Sequence, residues 1–92
     1  MTENAIKFQP GAILHDAIVG AFRAQGRGFD IWCAENGVSS SNARNATFGQ
    51  SRGPKGRALL ARIIDAAGRD FVMAAYAKRL RDHHAMISQE SR

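Results

Sequence analysis

The chain holds a single cysteine, Cys33. It can form no internal disulfide and offers no cysteine-rich zinc site. A lone free thiol suits a reducing compartment, so the expected location is the cytoplasm. No apolar run approaches the roughly 18 residues that a membrane span needs, and no membrane partner is expected. The opening residues MTENAIKFQP contain an early acid and no apolar stretch, so they do not read as a secretory signal. No segment sustains period-two alternation of β-branched residues, which argues against strands. There is no repeat, no low-complexity tract and no linker long enough to divide the chain. No nucleophile–base constellation stands out. GQSRGPKGR lacks the spacing and preceding strand of a phosphate-binding loop. Adjacent His83 and His84 would point about 100° apart on a helix and could not easily grip one ion. The expectation is therefore a non-enzyme with no cofactor and no metal.

What is present is enough for one domain: 92 residues, 45% of them hydrophobic. The net charge of +5 is uneven. Residues 1–20 carry Lys7 against Glu3 and Asp16, for −1. Residues 21–50 carry Arg23, Arg27 and Arg44 against Asp30 and Glu35, for +1. Residues 51–70 carry Arg52, Lys55, Arg57, Arg62 and Arg69 against Asp65 and Asp70, for +3. The remainder nets +2. The positive field begins abruptly near residue 52, and a polyanion is its natural partner.

Glycines punctuate a series of short helical patterns. Residues 1–9 read as a flexible tail. In PGAILHDAIVGAFRAQG, the residues Ile13, Leu14, Ala17, Ile18, Ala21 and Phe22 form a helical stripe. Pro10 suits its start and Gly26 its end, and Gly20 inside it invites a close-packing role. A second helix, GFDIWCAENG, turns Phe29, Trp32 and Cys33 inward and stops at Gly37. A third, VSSSNARNATFG, has Ser39 or Ser40 as its cap, Ala43, Ala46 and Thr47 inward, and Gly49 as its end. The fourth, GPKGRALLARIIDAAG, starts at Gly53-Pro54 and carries a wide stripe of Leu59, Leu60, Ile63, Ile64 and Ala67. The last runs from about Asp70, a possible cap, with Val72, Tyr76 and Leu80 at four-residue intervals, joined by Phe71 and Ile87. Met73 and Met86 fit a core or an interface.

The second and third patterns have the outline of a helix-turn-helix. Such a unit needs a small inward residue where the helices meet, which Cys33 supplies. Its turn needs a residue that accepts positive φ, which Gly37 supplies. Val38 can plug the space between the helices. On the third helix, Ser40, Ser41, Arg44 and Asn45 can share the outward side. Serine can contact any base, asparagine pairs with adenine and arginine with guanine. Arg52, Lys55 and Arg57 follow in the loop and at the start of the fourth helix, where phosphates are attracted.

The stretch GVSSSNARNATFGQSRGPKGRALLARIIDAAG resembles the lambda-repressor-like helix-turn-helix domain, and in particular its Cro-type and Ner-like members. The likeness spans about residues 11 to 68. It implies an all-α, five-helix fold with an extended C-terminal helix. It implies that Ser40, Ser41, Arg44 and Asn45 face a major groove and that Arg52, Lys55 and Arg57 meet phosphates. Two positions depart from the family pattern. Asn36 stands where an apolar residue is usual, and Ala43 where a branched one is common.

The division expected is a tail at 1–9, a DNA-binding domain at 10–68, and a C-terminal helix with a short tail at 69–92. Val72, Tyr76 and Leu80 give that helix apolar surface to bury, and a homodimer contact on a palindromic operator is the expected use. The function expected is sequence-specific binding of double-stranded DNA by a transcriptional regulator, a repressor from a phage or mobile element, working at the nucleoid. The alternatives are a protein-interaction module, such as an antitoxin or antiactivator with a protein partner, and an architectural or excision-directing DNA binder.

Overall fold

The computed structural model describes residues 8–90, with the side chains of 88–90 outside the description. Of the expected tail, residues 1–7 lie outside the described residues. Five helices follow one another: α1 Ala12–Ala24, α2 Phe29–Glu35, α3 Ser40–Phe48, α4 Pro54–Ala67 and α5 Arg69–Glu90. No strand occurs among the described residues.

α1 is the hub and packs against each of the other four helices. Its apolar residues recur at three- and four-residue spacing, so one stripe faces inward along the whole helix. Leu14, Ile18 and Phe22 on that stripe are fully buried. Around them gather Phe29, Trp32 and Cys33 from α2, Ala43 from α3, Ile63, Ile64 and Ala67 from α4, and Val72 and Tyr76 from α5. Leu59 and Leu60, expected in the core, are half-buried at its edge. Gly20 is exposed with open space where a side chain would stand, so close packing does not explain it.

The ends of α1 and α4 are tied together. Gln25 donates from its side-chain amide to the carbonyls of Ala21 and Ala67. Arg27 donates to the carbonyl of Ala66 at 3.3 Å. These side chains satisfy carbonyls that a helix C-terminus leaves without partners.

α5 begins one residue before Asp70, which therefore lies inside the first turn and does not precede it as a cap. Its first half belongs to the core. The two residues expected at a contact between copies, Val72 and Tyr76, are covered instead by the chain itself. The Phe8 ring meets Tyr76 edge-on at 5.3 Å, and the Tyr76 hydroxyl accepts from the Gln9 backbone at 3.0 Å. Leu80, the third, is exposed. Phe71, one residue and about 100° from Val72, points away from the core and is 55% exposed. From Lys78 to Ile87 every residue is exposed. Within this half Lys78 pairs with Asp82 one turn on at 2.9 Å, and Arg79 pairs with Asp16 of α1 at 3.4 Å.

Candidate nucleic-acid interface

α2 and α3 are joined by a turn of four residues, 36–39. Gly37 sits at φ 68°, a left-handed conformation that glycine adopts without steric cost. The Val38 N–H returns to the Cys33 carbonyl at 2.9 Å. Asn36 also closes α2. Its side-chain amide donates to the Trp32 carbonyl at 2.9 Å. The same carbonyl accepts from the Asn36 backbone N–H at 3.0 Å, so this polar residue reinforces the helix end with two donors. Cys33 is 1% exposed, and burial pushes its thiol up from the ordinary value, with Asp30 adding to the shift. That is the condition of a packing residue, not of a reactive thiolate.

α3 starts on Ser39, whose hydroxyl accepts from the Asn42 N–H at 3.1 Å. Ala43 and Ala46 are inward, as is Thr47. Their small volume lets α3 lie close to α1 and α4. At about 100° per residue, the opposite side of the helix carries Ser41, Arg44, Asn45 and Phe48. Ser41 and Arg44 are exposed and Asn45 half-exposed. Ser40 is exposed but its hydroxyl is directed at the Asp30 carboxylate, 3.5 Å away across the α2–α3 seam. It stands at the margin of the outward row.

The loop that leads to the cationic residues folds back on the end of α3. The Asn45 carbonyl accepts from the N–H groups of Gln50 at 2.8 Å and Ser51 at 3.2 Å. The first turn of α4 then packs against Ser51 so closely that a side chain on Gly56 would overlap the Ser51 carbonyl. Arg52, Lys55 and Arg57 are all exposed. Arg52 donates through Nε to the Gly49 carbonyl at 3.0 Å, a bond that leaves the donors of its terminal nitrogens unused. Arg52 and Arg57 flank a surface cavity of about 420 Å³ with Ala46 and Gly49 of the α3 end on its wall. No side chain caps the N-terminus of α4 at Gly53, so its free N–H groups add to the positive field.

On the other flank lies a group that sequence reasoning missed. His15 of α1 is buried beneath the end of α3. Its Nδ1 lies 2.9 Å from the Thr47 hydroxyl. The same hydroxyl lies 3.1 Å from the Arg44 carbonyl, to which it can donate. The ring stacks on Phe48 with centroids 4.3 Å apart and planes 24° apart. Burial holds His15 below its ordinary value, and Arg44 lowers it further, against opposing contributions from Asp16 and Asp30. Arg23 joins Arg44 and His15 along the same shallow groove. One signal for Phe48 was available: it lies seven residues after Ser41, on the same row of the helix. The partnership with His15 had none, since the two are distant in sequence.

The arrangement is thus a row of polar side chains, Ser41, Arg44 and Asn45, on an outward helix face, with Arg23 on the groove that Arg44 lines and exposed Arg52, Lys55 and Arg57 on the loop and helix turn that follow. It offers donors and positive charge to a ligand that is polar, extended and anionic. No family model, no curated protein and no solved structure matches the chain.

Proposed function

We propose that the chain is a lambda-repressor-like helix-turn-helix domain that binds double-stranded DNA sequence-specifically and represses transcription by covering a promoter, in the manner of phage and mobile-element regulators. α3 enters the major groove. Ser41, Arg44 and Asn45 contact base edges, with arginine suited to guanine and asparagine to adenine. Ser40 tightens the α2–α3 seam through Asp30 and reaches the groove margin. Arg52, Lys55 and Arg57, with the N-terminus of α4, hold the phosphates and set the register. The observation that carries this reading is an outward polar row on α3 followed directly in the chain by exposed cations, Arg52 in the α3–α4 loop and Lys55 and Arg57 in the first turn of α4.

Two copies on a palindromic site would join through the distal half of α5, where Leu80 is exposed, since Val72 and Tyr76 are occupied within the chain. A single small reader binds weakly, and pairing raises its effective concentration. The same exposed half of α5, with Met86 54% exposed, favours a second reading in which a protein partner docks there.

The test begins with selection of bound sequences from random duplex DNA by the pure protein. Arg44→Ala and Asn45→Ala are then compared with the parent on the selected duplex and on single-base variants of it. Each substitution should weaken binding by about 1–3 kcal/mol and relax preference at one base position. Unchanged affinity together with unchanged preference would remove α3 as the reader.

A further inference from the structure

Phe48 is the last residue of α3 and the one large apolar side chain in that helix. It is 38% exposed, at the end of an otherwise polar outward row. Seven residues, or about two turns, separate it from Ser41, so the two lie nearly in line along the helix. The ring is not loose. One of its faces stacks on His15, and His15 is pinned by the Thr47 hydroxyl and by the edge-on Phe29 ring at 5.7 Å. A ring held in this way loses little freedom on contacting a partner.

On the reading of α3 as a major-groove helix, the chemistry of the groove identifies that partner. The base edges there present donors and acceptors, and one apolar group, the C5 methyl of thymine. We propose that Phe48 reads a thymine methyl at one position in each half-site, and that His15 is a positioning residue that sets the ring for this contact. Sequence preference at that position then comes from an apolar contact and not from a hydrogen bond.

The experiment uses the full chain and the duplex obtained by selection. Each thymine is replaced in turn by deoxyuridine, which removes the methyl and keeps the O4 acceptor. One replacement per half-site should weaken the parent protein about fourfold, the size expected for burial of a single methyl. Phe48→Ala should bind thymine and uracil equally at that position, whatever its overall affinity. Phe48→Leu, which keeps apolar bulk in case the alanine variant folds poorly, should retain part of the discrimination. His15→Gln should shrink the discrimination while preserving the preference carried by Arg44 and Asn45.

A flat uracil profile for the parent overturns the proposal, as does a thymine penalty that persists unchanged in Phe48→Ala and Phe48→Leu. In both cases binding that still depends on Arg44 and Asn45 leaves the DNA reading standing. Failure to bind any duplex overturns both.

Discussion

α1 and α3 are helices of 13 and 9 residues held in place by different means. α1 buries Leu14, Ile18 and Phe22 completely and touches every other helix. α3 buries two alanines and a threonine. Full burial of a large apolar side chain stabilises by about 1.5–3 kcal/mol, and an alanine contributes far less. α3 is therefore held by its ends and by polar contacts. Ser39 caps it, the loop N–H groups return to the Asn45 carbonyl, and Thr47 joins it to His15. The difference teaches how a helix can be fixed firmly while most of its circumference stays free. One side must be small and close to its neighbours, and the rest is then available to a ligand.

The contrast can be broken most severely in α1. Phe22→Ala should cost about 3–5 kcal/mol, read as a loss of midpoint in chemical denaturation, because it empties the centre of the core. The next effect comes from enlarging α3. Ala43 is fully buried, and Ala43→Leu should cost about 1–3 kcal/mol by overpacking. The same variant should lose DNA affinity beyond its loss of stability, because the added bulk pushes α3 off its seat. Equal tolerance of leucine here would mean that the small-residue seat is unimportant.

A smaller effect follows from His15. Its folded-state value is depressed, so the unfolded chain binds more protons once pH falls below the ordinary value of about 6.5. Stability contributed by the neutral ring is present above that value. It falls away as pH drops through it and levels off below the folded-state value. Thermal melting across pH 5 to 8 should show this decline, and His15→Gln should flatten it; a decline of the same size in the variant would assign it to other groups. The smallest effect has the opposite sign. Gly20→Ala in the exposed side of α1 should stabilise by about 0.5–1 kcal/mol, since nothing occupies the space its methyl would fill. A fall in melting temperature would reveal a contact at Gly20.

These two helices also mark what could be read in advance. The stripe of α1, the serine cap of α3, the positive φ at Gly37 and the proline start of α4 are local matters. Spacing and residue type carry them, and the described helices begin and end close to where those signals stand. Inward Ala43, Ala46 and Thr47 were legible for the same reason. The use of an apolar face was not. Val72 and Tyr76 announce that one side of α5 is buried, but spacing cannot say whether α1 or a second copy buries it. The seat of Phe48 on His15 was hidden too, because it joins the end of one helix to the start of another.

The central claim is that α3 and the cations beside it form one duplex-binding surface. Its most direct test is the affinity for the selected duplex as a function of salt, for the parent and for Arg57→Ala and Lys55→Ala. The logarithm of affinity should fall linearly with the logarithm of salt concentration. Each substitution should reduce the slope by about one, as expected when one phosphate contact and its released counterion are lost. An affinity that barely responds to salt, or a slope that neither substitution changes, would contradict the account.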